Sequence, residues 1–420
     1  MSLTASAKLL ARAAGVAAAV PGEILDVPVD VAVVHDNNGP LMLKEFERLD
    51  IDRVWDAAKV HFVFDHHSPA TSFRAAGHQQ KLREFARRHG IQVFPAGRGI
   101  SHPVVAEEGL ARPGRIVVGT DSHTVGLGAY GCFATGIGST EMAAVLATGR
   151  IWLMVPEAVR VVLQGTMPPW LSARDIALYL ISRFGPDGLN YTALEIDGPL
   201  LAALSVNQRL AIAVMGLEAG AKNVFMPPDE KVAAALGGWR EGDWAAEAGS
   251  DAVYRARHEF DISQLPPIVA MPSLPTNGVP VEQAAGQIIH QATLGSCSGA
   301  YYHDLEEAAA ILAGRRVHPD VRFIVIPNTS RVVAKAARTG VLAALLEAGA
   351  IISSPACGTC AAYEVGCLAP GEVCISTTTR NMDGRMGEGG AIYLAGARTV
   401  AASAVRGAIA DPREFMGGER

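Results

Sequence analysis

Apolar, β-branched stretches recur along the chain and end in Gly, Asp or His: residues 31–35 before Asp36, 60–64 before Asp65, and 116–119 before Asp121. Continuous apolar runs of this length predict strands buried on both faces, each delivering polar side chains at its end. Between them, apolar and basic residues recur at helical spacing over 72–89, and the pattern over 139–153 predicts a further helix. Alternating strands and helices predict an α/β protein whose sites lie near the carboxyl ends of the strands. The opening stretch, 1–20, lacks an apolar core followed by a small-residue cleavage site and predicts the first helix of the mature protein. The pattern shifts near Pro156 and again through the Pro-rich passage 266–280. It then resumes with a strand over 321–327, an Ala-rich helix over 330–348 and a Gly-rich stretch over 384–390. Three α/β domains are expected, at 1–155, 156–280 and 281–420, with no internal repeat in the sequence.

Composition narrows the function. Apolar residues make up 49% and charged residues 19% of the 420, which excludes general disorder. The formal charge is −6 and no run of Lys and Arg stands out, so neither nucleic acid nor an anionic membrane is an expected partner. The most apolar windows fall well short of the roughly 20 residues that a membrane span requires. Six cysteines in so long a chain, two of them in Cys357-Gly-Thr-Cys360, suit thiolates that serve a metal in a reducing compartment, and the cytoplasm is expected.

Two constellations carry candidate chemistry. The first joins Cys297, in Gly295-Ser-Cys297, to Cys357 and Cys360 and to the run Thr377-Thr-Thr-Arg-Asn-Met-Asp-Gly-Arg385. Thiolates two residues apart bind one cluster or metal from a single turn, although any such pair also occurs as half of a structural zinc site, with Cys367 and Cys374 to complete it by count. A cluster held by only three thiolates leaves one iron open to act as a Lewis acid on a hydroxyl. Arg380 and Arg385 suit bidentate clamps on carboxylates. The second constellation comprises Asp65-His66-His67, His102 and Asp121-Ser-His123, all close to expected strand ends. Asp beside His fixes the imidazole tautomer and raises its basicity, which a general acid or base requires.

Together, Gly119-Thr-Asp-Ser-His-Thr124, Asp65-His66, Gly136-Ile-Gly-Ser-Thr-Glu141, Gly295-Ser-Cys297, Pro355-Ala-Cys-Gly-Thr-Cys360 and Arg380-Asn-Met-Asp-Gly-Arg385 resemble the aconitase superfamily, from about Val31 to the end of the chain. In length and motif order the chain is most similar to the shorter large subunits of isopropylmalate dehydratases, enzymes of leucine biosynthesis, and of homoaconitases. The resemblance implies three α/β/α domains around a [4Fe-4S] cluster with one iron not held by cysteine. Cys297, Cys357 and Cys360 would hold it. Asp65, His66, His102, Asp121, His123 and Glu218 would be catalytic, and Ser122, Arg380 and Arg385 would bind substrate carboxylates. The implied reaction is reversible dehydration of a small hydroxy di- or tricarboxylic acid. Isopropylmalate is favoured, with homoaconitate, dimethylmalate, maleate and citraconate as alternatives. The family's fourth, mobile domain is not expected after Arg385, so a small subunit carrying it is the expected partner, in a heterodimer or heterotetramer.

Departures from the pattern keep other readings in play. The family has Cys-Thr-Asn where this chain has Cys297-Ser-Gly299, and an asparagine where it has Val214. Two polar groups beside the cluster are therefore missing, which bears on its stability and potential. Alternatives from other classes are an RNA-binding regulator, opposed by the acidic net charge, and a structural zinc protein.

Overall fold

The computed structural model describes residues 3–361 and 365–416. The first helix is shorter than the sequence suggests, Ala5–Ala14. The Thr4 side chain caps its start and Gly15, at φ 69°, ends it. The helix expected over 72–89 is Phe73–His89, capped by Ser72 and stopped by Gly90 at φ 74°.

Five parallel strands form the first sheet, in spatial order Gln92–Phe94, Val60–Val63, Val31–His35, Ile116–Gly119, Phe133–Gly136. The three central strands are buried at every position, as their unbroken apolar runs require. Numbered along the chain, the order is 3-2-1-4-5. The direction of winding therefore reverses between Val31–His35 and Ile116–Gly119, and the carboxyl ends of that pair flank the crevice where open α/β sheets bind ligands.

A second sheet of four parallel strands follows, ordered Asn223–Phe225, Ala193–Asp197, Ala158–Gln164, Ala256–Asp261. The third has seven strands. Five are parallel, in the order Ala391–Ala395, Val373–Ser376, Gln291–Leu294, Arg322–Val325, Ile351–Ile352. Numbered along the chain this is 5-4-1-2-3, the winding of the first sheet read from its other edge. The sequence shows no repeat, but the topology repeats. A second reversal point thus lies between Gln291–Leu294 and Val373–Ser376.

Three further expectations differ. The helix over 139–153 ends at Thr148, because Gly149 turns left-handed, and Arg150–Met154 is a strand in which Ile151 and Leu153 are buried while Trp152 faces out. The helix over 330–348 is two, Ser330–Arg338 and Val341–Glu347, broken where Gly340 takes φ 80°. The passage 266–280 supplies the strands Ile268–Ala270 and Gly278–Pro280 to the antiparallel edge of the third sheet.

Loops of the first and third sheets are fastened together. Arg331, on the third-sheet side, bonds Glu108 at 2.9 Å, and on the first-sheet side Arg98 holds Glu107 at 2.8 Å and Glu108 at 2.7 Å. Between these ion pairs Gly99 and Thr329 form an antiparallel bridge. Gly99 has φ 136°, and a Cβ there would lie 2.5 Å from the Asn328 carbonyl oxygen, so both conformation and space restrict the position to glycine.

Candidate active site

Both reversal points open onto one cavity of about 260 Å³. His35, Thr120 and Asp121 reach it from the first sheet, and Ser296, Cys297 and Arg380 from the third. Of the twelve side chains singled out in the sequence, ten line it: His66, His102, Asp121, Ser122, His123, Cys297, Cys357, Cys360, Arg380 and Arg385. Asp65 and Glu218 stand behind that wall and hold its members. Asp65 is fully buried, with Oδ1 2.8 Å from His66 Nδ1 and Oδ2 accepting the Ser101 amide at 2.7 Å. Glu218 Oε1 lies 2.7 Å from His123 Nε2 and accepts from Arg380 Nε at 2.9 Å.

Asp121 is the hub of the first wall. Its Oδ1 lies 3.1 Å from His102 Nε2 and accepts the His123 amide at 2.7 Å, while Oδ2 lies 3.6 Å from His66 Nε2. Burial would raise its carboxyl, but hydrogen bonds and charge from His102 and His123 hold it well below the usual carboxylate range. Burial would likewise lower His66, yet the charges of Asp65, Asp121 and Asp36 outweigh it and push the imidazole up to about 10. His66 is therefore protonated at neutral pH. His123 is also raised, the pull of burial being overcome by Asp121 and Glu218. The same partners work in reverse on Glu218, which His123 and Arg380 hold ionised despite burial.

The sequence reading missed His35, whose place at the end of a buried strand was the available signal. Its ring stacks on His66 with centroids 4.1 Å apart. Its Nδ1 accepts from the amides of Asn37 and Asn38 at 3.3 and 3.4 Å, so Nε2 donates to the Thr120 carbonyl at 3.1 Å. That tautomer is neutral, in keeping with burial and the neighbouring His66, which both lower its pKa. Asp36, also missed, does not line the cavity. It accepts the amides of Asp65, His66 and His67 and the Gln79 side chain, and so fixes the Asp65–His66 turn.

The opposite wall carries sulfur and guanidinium. Cys297 follows the strand Gln291–Leu294 in a turn where Ser296 takes φ 77°, and Tyr301 donates to the Cys297 carbonyl at 2.9 Å. Cys357 receives its backbone hydrogen bond from the first wall, its amide donating to the Asp65 carbonyl at 2.8 Å. Cys360 Sγ lies 3.6 Å from an Arg385 NH2 and 3.5 Å from the Thr379 hydroxyl. Burial raises all three thiols. It prevails at Cys297, helped by Asp121, and at Cys357, helped by Asp65, whereas at Cys360 the charge of Arg385 outweighs it and lowers the thiol. Arg380, besides its bond to Glu218, donates to Ser122 Oγ at 3.2 Å.

The aconitase family (aconitate hydratase) matches residues 11–407 of this chain. The chain belongs to the aconitase family. By family it is a hydro-lyase. The 3-isopropylmalate dehydratase large subunit 1 of Methanopyrus kandleri is 44% identical over 420 residues, 99% of this chain and 100% of that protein. The "Probable methanogen homoaconitase large subunit" of Methanothermobacter thermautotrophicus is 42% identical over 417 residues, 98% of this chain and 97% of that one. Among solved structures, Thermococcus kodakaraensis aconitase X in its holo form superposes with a TM-score of 0.51 at 13% identity, over 85% of this chain and 84% of that one, which shows the likeness of fold.

The family implies a [4Fe-4S] cluster, and the residues present fit one. A single tetrahedral zinc would hold sulfurs about 3.8 Å apart, given Zn–S bonds near 2.3 Å. The three thiols do not form such a group. Among the described residues, the donors that all lie within 4.8 Å of one another belong to His35, Asp36, Asp65 and His66, and these are engaged in the hydrogen bonds above. Cys367 and Cys374, the remaining candidates for a zinc set, do not line the cavity, and Cys374 is buried in the strand Val373–Ser376. No helix among the described residues is long and apolar enough to cross a membrane.

Proposed function

We propose that this chain is the large subunit of a two-subunit isopropylmalate dehydratase, with Cys297, Cys357 and Cys360 holding a [4Fe-4S] cluster that keeps one iron free of cysteine. The observation that carries the reading is the juxtaposition of three cavity-facing thiols with a hydrogen-bonded array of Asp and His across about 260 Å³. When bound, the cluster supplies a Lewis acid for a hydroxyl and a carboxylate oxygen.

The chain's own residues do the rest. His66 holds a proton at Nε2 beside Asp121 and delivers it to the departing hydroxyl, with Asp65 keeping the ring oriented through Nδ1. His102 shares Asp121 with it and helps keep that carboxylate ionised, and when water adds in the reverse direction its proton goes back to His66. His123 and Glu218 form a second acid–base pair at the metal side, 2.7 Å apart. Arg380 and Arg385 neutralise the substrate carboxylates, with Ser122 offering a hydroxyl beside Arg380. The base for the carbon-bound proton and the side-chain pocket are assigned to the small subunit. The large-subunit names of the relatives above support that assignment.

Anaerobic reconstitution followed by mixing with the cognate small subunit tests the reading. The large subunit alone is expected to be nearly inactive, because losing a general base costs on the order of a hundredfold to ten-thousandfold in rate. Activity should appear in a saturable way near equal stoichiometry, with isopropylmalate preferred over homoaconitate, dimethylmalate, maleate and citraconate. Turnover by the large subunit alone would overturn the division of labour, and preference for another acid would reassign the substrate.

A further inference from the structure

Among the described residues three arginines are buried: Arg112, Arg174 and Arg209. Arg112 has the Asp243 carboxylate at 2.6 Å, and Arg209 bonds Asp229. Arg174 differs, since among the described residues no carboxylate lies within ion-pair distance of it. Its NH1 meets the Ser298 hydroxyl and, at 2.9 Å, the Met215 sulfur, while NH2 meets the Thr378 carbonyl. It is 1% exposed. It also sits in the first turn of the helix Ala173–Phe184, where the macrodipole disfavours a cation. A guanidinium stripped of water, without a carboxylate and at the positive end of a helix needs an anion from elsewhere.

Its position shows where that anion would lie. Ser298 adjoins Cys297, Thr378 lies two residues before Arg380, and Met215 lies three before Glu218. One side chain therefore touches the three segments that carry a thiol, a cavity-lining arginine and the carboxylate behind it. Burial lowers its pKa to about 10, and against that work, in order, the charges of Cys297, Glu218 and Cys360. This is also where the chain departs from its family pattern. Val214 is fully buried against Gly126 and Gly299 has no side chain, so neither offers a polar group.

Resting on the cluster reading above, we propose that Arg174 is a positioning residue for the cluster: it pins the Cys297 turn to the Arg380 loop and balances the negative charge of the thiolate-held group from the side where the usual polar groups are missing. Arg174 does not reach the cavity, and its action runs through the thiolates and loops it holds.

The test compares wild type with Arg174→Lys, Arg174→Met and Arg174→Gln, each purified without cluster and reconstituted anaerobically. Two readouts besides activity are taken, the gain in melting temperature on loading and the reduction potential of the bound cluster. Wild type and Arg174→Lys are expected to gain stability on loading and to share a potential. Arg174→Met should lose most of the gain and shift the potential to more negative values, because reduction adds charge that the arginine no longer offsets. Should Arg174→Met fail to fold, Arg174→Gln, which keeps polar groups without the charge, carries the same comparison. A purely structural arginine would lower both melting temperatures equally and leave gain and potential unmoved. That outcome, or Lys behaving like Met, would overturn the proposal while leaving the cluster reading intact. Wild type that takes up no cluster would overturn both.

Discussion

The first and third sheets share one winding and differ in what they place at its reversal point. After its first strand, one sheet offers His35 and Asp36 where the other offers Ser296 and Cys297. After the third strand, His102 stands where Cys357 and Cys360 stand, and after the fourth, Asp121 and His123 correspond to Arg380 and Arg385. The wall from the first sheet is electrically complete, since its carboxylates are matched by imidazoles and backbone amides. The wall from the third has two thiols raised by burial and, behind them, an arginine without a carboxylate. One wall is finished by folding; the other calls for a bound anionic group and anionic substrate.

The largest effect that would break this contrast is expected at Cys357. Replacing it with alanine should abolish the broad absorption near about 400 nm of thiolate-bound clusters, while the far-ultraviolet circular dichroism stays that of wild type. Zinc bound in unchanged amount would instead restore the structural-metal reading. Next comes Asp121→Asn, which disturbs His66, His102 and His123 together. Turnover with the small subunit should fall by about a hundredfold to ten-thousandfold, with cluster content unchanged. Loss of the cluster as well would mean that the two walls do not act separately.

Arg385→Lys is expected to cost less. A point charge cannot reproduce a bidentate clamp, and a lost charge-assisted hydrogen bond of about 1.5–3 kcal/mol corresponds to a fall of roughly tenfold to a hundredfold in kcat/KM. Its melting temperature should match wild type, and an unchanged rate would remove Arg385 from the substrate site.

The smallest effect is in stability and concerns the support behind the third-sheet wall. There Glu307 lies 3.8 Å from Arg398 and accepts from Ser172 at 2.5 Å, and Asp304 accepts the Tyr301 amide at 2.9 Å. Burial pushes this pair of acids up to about 7. Folding then binds protons that the unfolded chain releases, so the contribution is fully present below the ordinary carboxylate pKa of about 4 and is lost as pH rises through about 7. Wild type should therefore melt at lower temperature at pH 8 than at pH 6, and Glu307→Gln should reduce that difference. An identical slope in the variant would count against this source of pH dependence.

Much of the first wall was legible in the sequence because a buried parallel strand leaves two local signals, an apolar run and the polar residue that ends it. Asp65, His66 and Asp121 were found that way. His35 carries the same signal, but the turn that selects its tautomer involves Asn37, Asn38 and Thr120, and Thr120 is 85 positions away. The topological repeat was invisible because winding order depends on which strands pair, which local patterns do not encode. The strand Arg150–Met154 had been legible in its alternation, yet the adjoining helical run masked it until Gly149 showed where the helix stops. Arg174 could not be found from sequence at all. Nothing local distinguishes a buried arginine without a carboxylate from one on a surface helix.

The fastening formed by Arg98, Glu107, Glu108 and Arg331 has a further consequence. Separating the two sheets there would require breaking the Arg331–Glu108 ion pair, the Thr329–Glu107 hydrogen bond and the Gly99–Thr329 bridge together, so the pair behaves as a fixed half-mould rather than as jaws. Fit to a different acid would then be changed at the other half. If a second chain supplies that half, exchanging it retargets the enzyme while the proton-handling residues of this chain stay in place, and a family built this way diversifies by changing partners.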